Sequence, residues 1–365
     1  MKPFVTGIAM LSALATFSPF SLADNNHENS NKKLAVTKVK GDLSIMVLGS
    51  GGPIATSAGR ASAGYMVFTD ANPNPRIIMD LGGGTFQRIA QSGTNIADLD
   101  LILLSHLHAD HTGDLTPVIK TIYFHNNVKN QIRTKPVKIY GPAATAYAGD
   151  AGTLFPNTNI TQYPATTDYA DHHYSVGKQG VERYLNAFVP AITNFNGKFS
   201  YEAHDLNSAW KPDDSPVEEV VFDDGVANGL KITSIAVNHG PVPAVAFRIE
   251  YKGHSIVYSG DTSSISDNMI TLSRQADLLI YDTAITKDLP NNPVFHALHT
   301  SPERMGQVAA AANVKKLVLS HITPVTEPRI KEIKAAIKAN GYVGKIKVAK
   351  DLQVYNLGGR GHDDD

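Results

Sequence analysis

Seven residues, Ser105-His106-Leu107-His108-Ala109-Asp110-His111, follow directly on the apolar run 101–104. An unbroken apolar run of that length suits a strand buried on both faces. Three imidazoles and a carboxylate cannot follow it into the same core, so they must emerge where the chain leaves the sheet. The chain therefore needs a sheet covered on both faces and open at one edge. Further strands are expected over 43–48, 65–68, 76–79 and 137–140, then over 232–237, 244–251, 255–258, 278–281, 317–319, 346–348 and 352–355. Helices are expected over 112–122, 142–150, 300–312 and 329–339, with Thr300 capping the third and Glu303 completing its capping box. Each half runs several strands and then alternates strand with helix. Two sheets packed together and covered by helices satisfy this pattern.

The working domain is expected over 36–358. Within it, 155–225 is rich in Asn, Asp, Pro and Tyr, contains the only tryptophan, Trp210, and has poor periodicity. It reads as an insertion that serves as a lid or as the surface of a homodimer. Residues 3–23 carry no charge, Pro19 breaks their apolar stretch, and Ser21-Leu22-Ala23 offers small residues for cleavage. Residues 1–23 thus read as a signal peptide, 24–35 as a flexible segment and 359–365 as a solvated tail. A periplasmic or secreted protein is expected, with no stable membrane span after processing. Thirty-three Lys and Arg against 34 Asp and Glu argue against a broad nucleic-acid surface, although a local basic patch stays open. The absence of cysteine excludes disulfides, thiolate ligands and a cysteine nucleophile.

Imidazole and carboxylate side chains suit a borderline metal such as Zn²⁺, without excluding Mn²⁺ or Fe²⁺. In a tight turn, His106 and His108 can serve one ion while Asp110 and His111 serve another. Gly113 suits that turn, and Asp114 is expected to support it by orienting an imidazole.

The segment HLHADH resembles the HxHxDH signature of the metallo-β-lactamase fold superfamily. Gly49-Ser50-Gly51-Gly52-Pro53, with Arg60 behind it, resembles the glycine-rich loop of the branch containing tRNA 3′-processing endonucleases and secreted arylsulfatases. Met79-Asp80-Leu81-Gly82, His239, Tyr258-Ser259-Gly260-Asp261-Thr262 and Leu319-Ser320-His321 are similar to the later motifs, in the same order. The resemblance implies an α/β fold, a four-layer αββα sandwich with the active site along one sheet edge. It implies two divalent ions. His106, His108 and His239 would hold the first, Asp110, His111 and His321 the second, and Asp261 would bridge them, with Asp80 as a support.

Two such ions would share a water and turn it into the attacking hydroxide. Asp110 is then a candidate catalytic carboxylate as well as a ligand. His299, just before the expected helix, is the candidate contact for the leaving group, and His296 is the alternative substrate contact. The expected function is an exported, dinuclear, arylsulfatase-like hydrolase of a small anionic ester, with no nucleic-acid partner. A phosphodiesterase is the alternative, followed by a lactonase or a metal-binding interaction protein without turnover.

Overall fold

The computed structural model describes residues 34–128, 133, 135–144, 163–187, 199–209 and 215–359. The expected signal peptide, nearly all of the 24–35 segment and most of the tail lie outside these residues, as do Trp210 and 145–150 of the expected second helix.

Among the described residues, the strands form two seven-stranded sheets. The first holds β1 (Leu43–Gly49), β2 (Gly64–Thr69), β3 (Ile77–Leu81), β4 (Leu101–Leu103), β5 (Val137–Pro142), β6 (Tyr201–Leu206) and β14 (Val354–Leu357), in the order β14-β1-β2-β3-β4-β5-β6. The second holds β7 (Glu218–Asp223), β8 (Lys231–His239), β9 (Val242–Tyr251), β10 (His254–Tyr258), β11 (Leu278–Asp282), β12 (Lys316–Ser320) and β13 (Lys345–Val348), in the order β13-β12-β11-β10-β9-β8-β7. Helices α1 (Thr85–Ser92), α2 (Ala109–Thr112), α3 (Leu115–Val128) and α4 (Thr166–Tyr174) accompany the first sheet. Helices α5 (Asn268–Leu272), α6 (Pro293–Leu298), α7 (Pro302–Ala311) and α8 (Ile330–Ala339) accompany the second.

Alternation along the strands builds three apolar layers. On β1, Ile45 and Val47 face the layer between the sheets, while Met46 and Leu48 face α1 and α3. On β12, Val318 joins the middle layer, while Leu317 and Leu319 meet α7 and α8. Central strands are covered on both faces, which is why they read as continuous apolar runs. The result is the four-layer αββα sandwich of the metallo-β-lactamase fold.

Three expectations change. The described part of the 155–225 segment supplies α4 and one outer strand of each sheet, β6 and β7, so these residues belong to the sandwich itself. Strand β5 continues through Pro142, where a helix was expected to start. Ser301, not Thr300, caps α7, its Oγ accepting from the Arg304 amide; Thr300 instead donates to the Thr262 carbonyl.

Phe247 is fully buried in the middle layer. Phe247→Ala is expected to cost about 3–5 kcal/mol through lost transfer energy and a residual cavity. An unchanged urea midpoint would show that the sheets do not depend on this layer.

Candidate metal centre

Strands β3 and β4 run parallel, as do β10, β11 and β12. Their carboxyl ends gather the expected side chains at one edge, where open α/β sheets place their sites. Asp80 ends β3, His106 follows β4, His239 ends β8, Asp261 follows β10 and His321 follows β12.

These residues form two adjoining groups. In His106, His108 and His239, one potential ligand atom from each lies within 4.8 Å of the others, and the same holds for Asp110, His111, Asp261 and His321. His239 Nε2 approaches His108 Nδ1 at 3.4 Å, and His111 Nε2 approaches His321 Nε2 at 3.3 Å. Asp261 faces both groups. Its Oδ2 lies 3.8 Å from His106 Nε2, 3.8 Å from His239 Nε2 and 3.3 Å from His321 Nε2, and its Oδ1 lies 3.4 Å from His111 Nε2.

Hydrogen bonds behind the rings set which nitrogen faces the centre. His239 Nδ1 donates to the Leu298 carbonyl at 2.8 Å, and His111 Nδ1 donates to Asp80 Oδ2 at 2.7 Å. In both, Nε2 is the nitrogen left facing inward. Asp80 also accepts from the Ser105 amide, the Ser105 hydroxyl and the Tyr258 hydroxyl at 2.6–2.8 Å. It therefore ties together the start of the histidine loop, His111 and β10. Asp114 supports the loop differently. It accepts from the Phe86 amide at 2.9 Å and so pins the loop to the start of α1 instead of orienting an imidazole.

The residues fit divalent ions. His106 Nε2 and Asp261 Oδ1 are buried polar atoms without a hydrogen-bond partner among the described residues, a costly state unless a ligand satisfies them. Electrostatics divide the two groups. Burial, then neighbouring imidazoles, hold His106 well below the ordinary histidine value. Burial also lowers His108 and pushes His239 down to about 3. These three are neutral donors. Burial opposes charge on His111 and His321 too, but surrounding carboxylates, Asp261 foremost, outweigh it and raise both, His321 to about 10. The second group thus lies in the field of carboxylates, which favours a positive charge there.

Glycines make the approach feasible. A Cβ on Gly52 would stand 2.8 Å from the His321 ring, and one on Gly82 would strike the Asp110 carbonyl at 1.9 Å. The bridge between Gly51 and Ile322 brings the glycine-rich loop alongside the strand end that carries His321.

His299 lies beside the centre, its ring centroid 5.4 Å from that of His239 and 5.6 Å from that of His321. Its Nδ1 donates to Asp282 Oδ2 at 2.7 Å. Burial opposes its charged form, but Asp282 prevails and raises its pKa. His296 is placed differently: its Nε2 bonds the Pro290 carbonyl at 3.1 Å, so that nitrogen holds the loop before α6 and is not turned to the centre. Asp282, Ser105 and Tyr258 were not anticipated. Asp282 had a signal, because it ends an apolar strand as Asp80 does; the tyrosine had none.

Comparison with known proteins agrees with this geometry. The family described as a beta-lactamase superfamily domain matches residues 172–322, and that described as anti-Pycsar protein Apyc1 matches 43–139. A ribonuclease Z of Mycobacterium bovis (strain BCG / Pasteur 1173P2) is 30% identical over 321 residues, covering 85% of this chain and 96% of its own. The chain belongs to the metallo-β-lactamase superfamily, in its ribonuclease Z branch. A ribonuclease Z of Thermoplasma acidophilum is 30% identical over 301 residues, covering 78% of this chain and 87% of its own. The crystal structure of the short form of human tRNase Z superposes with a TM-score of 0.55 at 18% identity, covering 86% of this chain and 98% of that one. The fold and these relatives identify the chain as a metal-dependent hydrolase. They also correct an expectation: relatives matched over nearly their whole length are named as ribonucleases, which overturns a small ester substrate without a nucleic-acid partner. They lend no support to sulfate-ester hydrolysis. No helix among the described residues is long and apolar enough to cross a membrane.

Asp80→Ala removes the carboxylate that orients His111. Metal affinity measured by chelator competition is expected to fall about 10–100-fold. Wild-type affinity in the folded variant would show that Asp80 only holds the loop.

Proposed function

We propose that this chain is a zinc-dependent phosphodiesterase that cleaves RNA. The observation that carries the reading is the two ligand groups with Asp261 facing both, and the His299–Asp282 pair beside them. Relatives named ribonuclease Z favour a phosphodiester over a sulfate ester.

His106, His108 and His239 would hold one ion, and Asp110, His111 and His321 the other, with Asp261 between them. Bound ions supply a nucleophile from water at neutral pH and polarise the phosphoryl oxygen. The chain's own residues do the rest. Asp80 and the Leu298 carbonyl hold the Nδ1 protons of His111 and His239, so that Nε2 of each ring is the atom turned to the centre. Asp110 is partly exposed and turned toward His321 at 3.1 Å, which places a carboxylate at the mouth of the centre as a proton acceptor. Asp282 fixes the His299 ring and keeps a proton on its Nδ1. Its Nε2 has no hydrogen-bond partner among the described residues, and it serves as the donor to the departing oxygen.

We further propose that the chain acts after export, on the strength of its uncharged segment 3–23. Sequencing the N-terminus of the mature protein tests this: a start at Asp24 is expected, and a retained Met1 would refute it.

Zinc-loaded protein is expected to cleave an RNA oligonucleotide and to hydrolyse bis(4-nitrophenyl) phosphate, with little turnover of 4-nitrophenyl sulfate. Preference for the sulfate, once intrinsic reactivities are divided out, would overturn the phosphodiester reading. His299→Ala is expected to keep its metal and to lose about 10²–10⁴-fold in kcat on RNA, whose leaving group is poor. The loss on the activated diester should be much smaller. Asp282→Asn should follow the same pattern more weakly, and an equal loss on both substrates would exclude proton donation.

A further inference from the structure

Basic residues are not spread evenly along this chain. Its formal charge is -1, yet residues 315–350 contain nine Lys or Arg against two Glu. That segment holds β12, α8 and β13, on the flank of the second sheet that ends in β13.

Lys331, Lys334 and Lys338 stand at i, i+3 and i+7 of α8 and so share one face, beside the buried Ile333 and Ile337. On β13, Ile346 and Val348 pack toward the helix layer. Lys345 and Lys347 therefore project from the opposite face of a strand that pairs on one side with β12 and is the outermost of its sheet. Lys350 follows, exposed, in the turn toward β14. Two neighbours of this array are neutralised, Lys315 by Asp277 at 2.7 Å and Arg329 by Glu332 at 2.7 Å. Lys331, Lys334, Lys338, Lys347 and Lys350 have no ion pair among the described residues.

Topology connects this flank to the metal centre. The chain leaves β12 at His321, on the ligand edge. It runs back along α8 and returns to the same edge in β13, which is parallel to β12. Lys331 and Lys350 thus stand at the ligand edge, while Lys338 and Lys345 stand at the far end. Lys350 also lies between two residues that clamp the glycine-rich loop. Arg60 donates to the Ala349 carbonyl at 2.8 Å, and Asp351 accepts from the amide and hydroxyl of Ser50 at 3.0 and 2.7 Å.

We propose that α8, β13 and Lys350 form a track for the RNA sugar–phosphate backbone, which leads the scissile bond to the ligand edge. The inference rests on the reading of the centre as an RNA phosphodiesterase. Unpaired lysines on a helix and an outer strand offer point charges without directional readout, so binding is independent of sequence and sensitive to salt.

The test measures fluorescence anisotropy of a labelled single-stranded RNA oligonucleotide with the zinc-loaded full chain across a salt series. It compares wild type, K331A/K334A/K338A, K347A/K350A, and Lys→Arg versions at the same positions. Each lost phosphate contact removes about 0.7 from the slope of log affinity against log salt. The triple variant is expected to lose about 2 in slope and the double variant about 1.4, with KM for RNA raised, while the arginine versions keep the wild-type slope. Turnover of bis(4-nitrophenyl) phosphate should be unchanged in all of them. Unchanged slopes and affinities in the alanine variants would overturn the track even if RNA is cleaved. Lysine-dependent binding to phosphatidylglycerol vesicles with no binding to RNA would also overturn it. Lysine-dependent RNA binding without RNA cleavage would uphold the track and refute the RNA phosphodiesterase reading.

Discussion

The centre depends on the concentration of negative charge at one sheet edge. Asp80, Asp261 and Asp282 are buried there, and Asp110 stands partly exposed beside them. Buried carboxylates are tolerated only where donors or cations compensate them. Asp80 does so with four donors, and Asp282 does so with His299 and the Ala284 amide. Asp261 is the exception. One of its oxygens accepts no hydrogen bond among the described residues, although imidazoles surround it on several sides. A carboxylate left in that condition and shared between two ligand groups is a seat for cations. The surrounding hydrogen bonds can then be understood as devices that keep the imidazole nitrogens directed at it.

Holding these groups together requires unusual backbone. His321 and Asp80 both adopt left-handed conformations, with φ of 57° and 51°. Such residues persist only where surrounding contacts over-determine them. For His321 the restraint comes from the glycine-rich loop, which Asp351 grips through Ser50 while also binding the Ala61 amide and Arg88. Residues close to the chain's C-terminal strand thereby complete a site whose principal ligands lie near position 110. The antiparallel pairing of β14 with β1 carries this long-range closure, because it fixes the turn that holds Asp351.

The histidine segment and the strands around it were legible because their physics is local. A doubly buried strand shows itself as an apolar run, and a ligand-bearing turn shows itself as polar residues placed where the run stops. His239, Asp261 and His321 were named through the family resemblance, and each stands at or just after the end of such a run. The roles of Asp114 and His296 were not legible. Which group an aspartate or imidazole bonds is decided by elements that reach it from elsewhere, here the start of α1 and the loop at Pro290. Tyr258 shows the limit most plainly. It reads as a core aromatic within β10, yet its hydroxyl crosses the middle layer to Asp80 on the other sheet. The outer strands β6 and β7 were also obscured, because partial exposure erases the apolar pattern that marks a central strand.

Net charge misled for a related reason. A sum near zero describes the field far from a protein, whereas a polyanion in contact feels charges within about a Debye length, some 8–10 Å at physiological ionic strength. The lysines of α8 and β13 occupy one flank, and the acids that cancel them in the sum are elsewhere in the chain. Two opposite electrostatic tasks can then share one molecule. A pocket of buried carboxylates attracts cations and would repel a phosphodiester unless those cations are bound. An exposed basic flank attracts the same phosphodiester and would not hold a cation. Bound divalent ions would offset the charge of the first surface and leave the second unchanged, so the ligand edge of the loaded protein would no longer repel the phosphodiester that the flank attracts.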